Sequence, residues 1–121
     1  MRTLFCALLA SLALGGAANA AGCVYDSVNQ IPTTQGSGVA LPSAASADWY
    51  RNKAAIEIEG RRYQPFGLPM EVAQFEMEAW MQIGVWKGVP VFLDEYGEGE
   101  VAFVAVDPKV CSFQRYEALK D

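Results

Sequence analysis

The sequence predicts a mainly β fold: a small antiparallel barrel or curled sheet of five to six strands with an irregular N-terminal arm. Three observations point there. Apolar and charged residues alternate with a period of two in several short runs, as in Ile56-Glu57-Ile58. Turn-forming residues recur at close intervals between those runs, at Gly60, at Lys87-Gly88 and along an acidic, glycine-bearing tip from Asp94 to Glu100. Aromatic and β-branched residues concentrate from Trp49 onward. Closure of the sheet would remove the free edges that make a small exported sheet prone to aggregation. The alternative is an α+β fold with one short helix near residues 69–80.

The chain opens on a segment with the marks of a secretory leader. Met1-Arg2 carries one positive charge, Leu4 to Leu14 is an apolar run broken by Ser11, and Ala18-Asn19-Ala20 is a small-residue cleavage site. Residues 1–20 are therefore read as a signal peptide. A membrane-spanning helix would need about 20 apolar residues, more than this run or any later one supplies, so no transmembrane segment is expected. The expected location is exported, periplasmic or extracellular. The chain beyond Ala20 suffices for one small domain, read as an irregular arm over 21–48 and a compact β-rich unit over 49–121.

Cysteine use fits that compartment. Of three cysteines, Cys6 leaves with the leader and Cys23 and Cys111 remain as an even pair. A disulfide between them would close a loop of nearly the whole mature chain and contribute about 4 to 5 kcal/mol in the chain-entropy description. The rival fate for Cys23 is lipidation, which would make the protein a lipoprotein anchored there. That needs a large aliphatic residue three positions earlier, where Ala20 stands, and it would strand Cys111 as a lone thiol.

Along the mature chain, Ser27 to Asp48, SVNQIPTTQGSGVALPSAASAD, is rich in small and turn-forming residues without an apolar period, and reads as a loop laid across the domain. AIEIEGRRYQPFG, from Ala55, reads as a hairpin turning at Gly60, with Ile56 and Ile58 on one face and Tyr63 on the return. Leu68 to Trp80 is ambiguous. Pro69 and Glu71 suit a helix start, and Met, Glu, Ala and Gln favour helix, but Phe75, Met77, Ala79, Met81 and Ile83 alternate with polar residues. The alternation predicts a strand from about Phe75, preceded by a turn or one helical turn. A meander comes next: a strand to Trp86, a turn at Lys87-Gly88, Val89 to Leu93, the acidic tip, and Val101 to Val106. Pro90 lacks a backbone donor, so its strand should lie at an edge or carry a bulge. Ser112 to Tyr116 is expected to pair with an earlier strand.

Composition excludes much chemistry. The formal net charge is −5 and becomes one unit more negative when Arg2 leaves; with no basic cluster, nucleic-acid binding is disfavoured. There is no histidine, which removes histidine-based triads and the usual ligands of catalytic zinc. No C-x-x-C, dinucleotide-binding or P-loop motif occurs. No catalytic residue and no cofactor are assigned.

Two groups of candidates remain. Trp49, Tyr50, Trp80 and Trp86 form a possible binding surface. Trp80 and Trp86 share a parity opposite to the Phe75–Ile83 face, so on a regular strand both indoles would project the same way. Asp94, Glu95, Glu98 and Glu100 crowd the acidic tip and are weak metal candidates, although DEYGEGE lacks the ligand spacing of a helix-loop-helix calcium site. The favoured reading is a small, exported, non-catalytic domain that binds a protein, cell-wall or glycan partner in the bacterial envelope. The alternative is a small carboxylate- or calcium-dependent enzyme or factor acting through the 94–100 tip.

Overall fold

The computed structural model describes residues 22–36 and 38–120; the signal-peptide reading of residues 1–20 lies outside them. The strands are β1 (Val24–Asp26), β2 (Ile31–Thr33), β3 (Val39–Ala40), β4 (Ile56–Ile58), β5 (Arg61–Pro65), β6 (Met70–Glu71), β7 (Trp80–Trp86), β8 (Val89–Asp94), β9 (Val101–Asp107) and β10 (Ser112–Ala118). Among the described residues, two short helices, α1 (Asp48–Arg51) and α2 (Gln74–Met77), and a 3-10 turn at Pro108–Val110 accompany the strands. No helix among the described residues is long and apolar enough to cross a membrane.

The fold is mainly β, as expected. Its principal sheet runs β4-β5-β10-β9-β8-β7, with β6 as an extra partner of β10, and every pairing is antiparallel. The sheet curls until its end strands touch, giving a nearly closed six-stranded barrel. β4 and β7 meet there through side chains, with no ladder between them among the described residues. Gly84 lies in this seam, where a β-carbon on it would sit 3.3 Å from Ile58 Cγ2.

Local chemistry sets the hairpins. Ile58 pairs with Arg61 and Trp86 with Val89, leaving two-residue loops. In each loop both residues have positive φ, Glu59 and Gly60 at 58–61 and Lys87 and Gly88 at 86–89. That is the mirror-image turn whose twist suits a hairpin, and glycine in the second position adopts it without strain.

Along β8, β9 and much of β10 both faces of the sheet are buried, whereas β4, β5 and β7 leave Glu57, Arg62 and Val85 exposed. Ile56, Ile58, Tyr63, Val89, Val91, Ala102, Val104 and Tyr116 fill the barrel interior. The opposite face carries Trp80, Phe92, Ala105 and Phe113, covered by Val72, Met77 and the arm residues Cys23 and Leu41. Double coverage explains the unbroken apolar run of β8, which a sheet with one wet face would not need.

The segment read as an irregular arm contains a small sheet of its own, ordered β2-β1-β3. Its strands are two or three residues long, too short to show an apolar period. The arm is fastened to the barrel at several points. Cys23 and Cys111 form a disulfide across 88 positions of sequence, with their Cα atoms 5.2 Å apart. The Cys23 N–H donates to Pro108 O at 2.8 Å. Gln74 Oε1 on α2 accepts from both the N–H and the hydroxyl of Thr34, at 2.7 and 2.9 Å.

Pro90 occupies a gap that the arm fills. β8 is ladder-bonded to β9 only at Phe92–Phe103 and Leu93–Ala102, so Val89 to Val91 have parted from it. Pro90 thus lies on a locally open edge of an inner strand, and its missing donor breaks no β8–β9 bond. The arm takes the vacated carbonyls of β9: the Ala44 N–H donates to Ala105 O at 2.8 Å, and the Ser43 hydroxyl to Val106 O at 2.9 Å. Ala44 is wholly buried in the interior cluster.

Two expectations are corrected. The strand predicted from Phe75 starts at Trp80, because Gln74 to Met77 form α2. Here propensity prevails over alternation, helped by the Glu76 carboxylate, which accepts from the Ala73 N–H at 3.4 Å. In the helical turn Met77 points into the core and Phe75 into solvent. The shared parity of Trp80 and Trp86 also fails: the β7–β8 register shifts between Gln82 and Gly84, and the added residue reverses the pleat. Trp80 therefore packs on the outer face and Trp86 against the barrel interior.

Candidate functional site

Of the four aromatics proposed as a surface, Trp49, Tyr50 and Trp86 pack against the interior cluster and Trp80 belongs to the cluster on the opposite face. Trp49 and Tyr50 belong to α1 and lie half-buried against the interior cluster. Trp86 is also half-buried there, and Lys87 Nζ stands 5.3 Å from its ring. Trp80 is buried in an aromatic stack with centroid distances of 4.5 Å to Phe103 and 5.8 Å to Phe92, and it meets Phe113 edge-on at 5.0 Å.

Trp80 nevertheless floors the most chemically distinctive hollow of the molecule, a cleft of about 440 Å³. One wall is the segment preceding β7: Met70 and Glu71 from β6, Val72, then Phe75 and Glu76 from α2. The other holds Asp94 and Tyr96, at the start of the acidic tip, with Phe103 of β9 and Arg115 of β10 at the base. α2 creates this shape because a single helical turn between two strands buries Met77 and forces Phe75 outward. The tip holds Tyr96 over the cleft through a short side-chain turn, in which the Tyr96 N–H donates to Asp94 Oδ1 at 2.9 Å.

The cleft margin is apolar and open. Phe75 is 75 % exposed, Tyr96 79 % and Met70 56 %, and Leu68, two residues before Met70, is 86 % exposed. Phe66 continues the margin, with the Arg115 guanidinium 5.4 Å from its ring centroid. The charges in the lining are unbalanced. Glu71, Glu76 and Asp94 are acidic, while Arg115, the one cation among the described lining residues, is paired with Glu117 at 2.8 Å.

The tip carboxylates are dispersed. Asp94 is engaged by Tyr96, Glu100 accepts from Arg61 at 3.3 Å, and Glu95 and Glu98 project into solvent. Among the described residues no three potential metal-ligating side chains come together. A larger hollow of about 840 Å³ lies where the arm meets the barrel near the disulfide. Its lining mixes small and apolar residues with Thr33, Thr34, Ser43, Asp107 and Lys109; the Asp107 carboxylate accepts from the Lys109 N–H at 3.2 Å, and the Ser43 hydroxyl is engaged with Val106 O.

Sequence reasoning missed Met70, Glu71, Phe75, Glu76 and Arg115 as neighbours of Trp80. The helix-forming run from Ala73 to Ala79 was the available signal for Phe75. Nothing local marks Arg115, which arrives from a strand distant in sequence.

No family model matches the chain, and no curated protein or solved structure is significantly similar to it. What defines its class is the fold and the cleft: a small, disulfide-tied, barrel-like β domain with an acidic cleft rimmed by exposed apolar side chains.

Proposed function

We propose that the chain is an exported, non-catalytic binding domain whose contact surface is the cleft between the β6–α2 segment and the Asp94–Tyr96 tip. One observation carries this reading. Met70, Phe75 and Tyr96 stand in the open around one hollow. Clustered apolar exposure of this kind marks a surface that a partner covers. Exposed Tyr, Phe and Met beside a buried Trp also match the residue types enriched where partners dock.

The other features agree. A disulfide linking the ends of a small domain suits an oxidising, exported setting, and a sulfur engaged in that bond is not free to carry a lipid. The sequence has no histidine, Cys23 and Cys111 are bonded to each other, and the Asp94 carboxylate is committed to its own turn. These facts favour binding over catalysis.

The test is the double variant F75S/Y96S, compared with V28S/V85S, whose parent side chains are exposed but do not line the cleft. Both variants should melt close to the parent. Co-purification of an envelope partner should be lost in F75S/Y96S and kept in V28S/V85S. Equal retention by both variants would overturn the reading.

A further inference from the structure

The cleft also says what kind of partner it fits. Resting on the reading above, we infer that its occupant is a segment of another protein that carries positive charge alongside large apolar side chains.

Charge supports the sign. Three carboxylates, Glu71, Glu76 and Asp94, line the cleft, and Arg115, the cation among them, is already matched by Glu117. Glu95 beside Asp94 and Glu78 beyond α2 extend the negative field. An anionic segment entering here would meet uncompensated repulsion, whereas Lys or Arg side chains would meet carboxylates at the rim and aromatic faces at Phe75 and Tyr96. The same charge argues against a second copy of this chain, since two such clefts face to face would bring like charges together.

The apolar margin supports a peptide over a sugar. Glycans are gripped by flat aromatic platforms, but here aliphatic Leu68 and Met70 are exposed beside Phe75 and Tyr96. Unbranched methionine adapts its shape to irregular apolar side chains. Such a mixed margin gives area to Leu, Val or Phe side chains of a protein segment, which a hydroxyl-rich ring cannot use as well.

The test pans a random peptide library displayed on phage against the intact mature protein. Enriched peptides should be net positive and carry at least one large apolar residue. One enriched peptide, made synthetically, is then measured by calorimetry against the parent, F75S and E71Q/E76Q, alongside a hexamer of N-acetylglucosamine. We expect F75S to abolish measurable binding. E71Q/E76Q should weaken it about tenfold, as loss of two rim ion pairs implies, and raising salt from about 20 mM to about 500 mM should weaken parental binding comparably. The saccharide should not bind.

The results separate the surface from the charge. Loss of binding in F75S with none in E71Q/E76Q would retain the cleft as the surface and overturn the charge assignment. Peptides that bind F75S as well as the parent would overturn both. Enrichment of neutral or acidic peptides, failure of any peptide to enrich, or preference for the saccharide would overturn the inferred partner.

Discussion

Replacing both Cys23 and Cys111 by alanine tests how the arm is held. The bond closes a loop across 88 positions, and the chain-entropy relation gives about 4.6 kcal/mol for that length. Both sulfurs are buried in the outer core cluster, with Cys23 Sγ 3.8 Å from Met77 Sδ, so their removal adds a packing loss of about 1 kcal/mol, smaller than the entropic contribution. The larger effect therefore falls on the unfolded chain, which gains freedom when the tie is cut. With a urea slope of about 1.2 kcal/mol/M for a domain of this size, the entropic contribution alone should lower the midpoint by nearly 4 M. Native stabilities are commonly about 5 to 15 kcal/mol, so the variant should be marginal at room temperature. The assay is equilibrium urea unfolding followed by tryptophan fluorescence, with the reduced parent as a second sample. A loss below about 1 kcal/mol would refute the reasoning, since it would mean that closing the loop hardly restricts the unfolded chain.

Other substitutions probe the packing. Trp80→Ala removes the stack on Phe92, Phe103 and Phe113 and should cost about 3 to 5 kcal/mol by chemical denaturation; a cost below about 1 kcal/mol would contradict a buried Trp80. Gly84→Val forces a branched side chain into the seam against Ile58, 3.3 Å from the first added carbon, and should cost about 1 to 3 kcal/mol, with Gly84→Ala milder. The Tyr116 phenol is pushed up to about 12 by burial, with a smaller contribution from Tyr50. A raised phenol favours the folded state fully below pH 10, and that contribution is lost as pH climbs from 10 towards 12, by about 2 to 3 kcal/mol. Alkaline denaturation should therefore steepen in that window, and Tyr116→Phe, which also removes a buried hydroxyl without a partner among the described residues, should flatten it without lowering neutral stability.

Where structure is set by neighbours in the chain, the sequence was readable. The Glu59-Gly60 and Lys87-Gly88 hairpins, the β7-β8-β9 meander and the pairing of the tail as β10 all rest on alternation and turn residues. The disulfide followed from parity of cysteines. Failures came where a few residues serve two patterns. Gln74 to Met77 alternate like a strand yet fold as a helical turn, and the slip at Gln82–Gly84 reverses the facing of every later residue in β7. Gly84 within an apolar run was the one local sign of that irregularity. The cleft itself was illegible, because Met70, Tyr96 and Arg115 become neighbours only through β10, whose partners come from both halves of the barrel.

The most direct test of the central claim replaces Phe75 by a photo-reactive phenylalanine analogue in the protein expressed in its own cells, with the same replacement at Val28 as control. Irradiation should give a discrete cross-linked protein product from position 75 and none from position 28. Equal products from both positions, or none from position 75, would contradict the account.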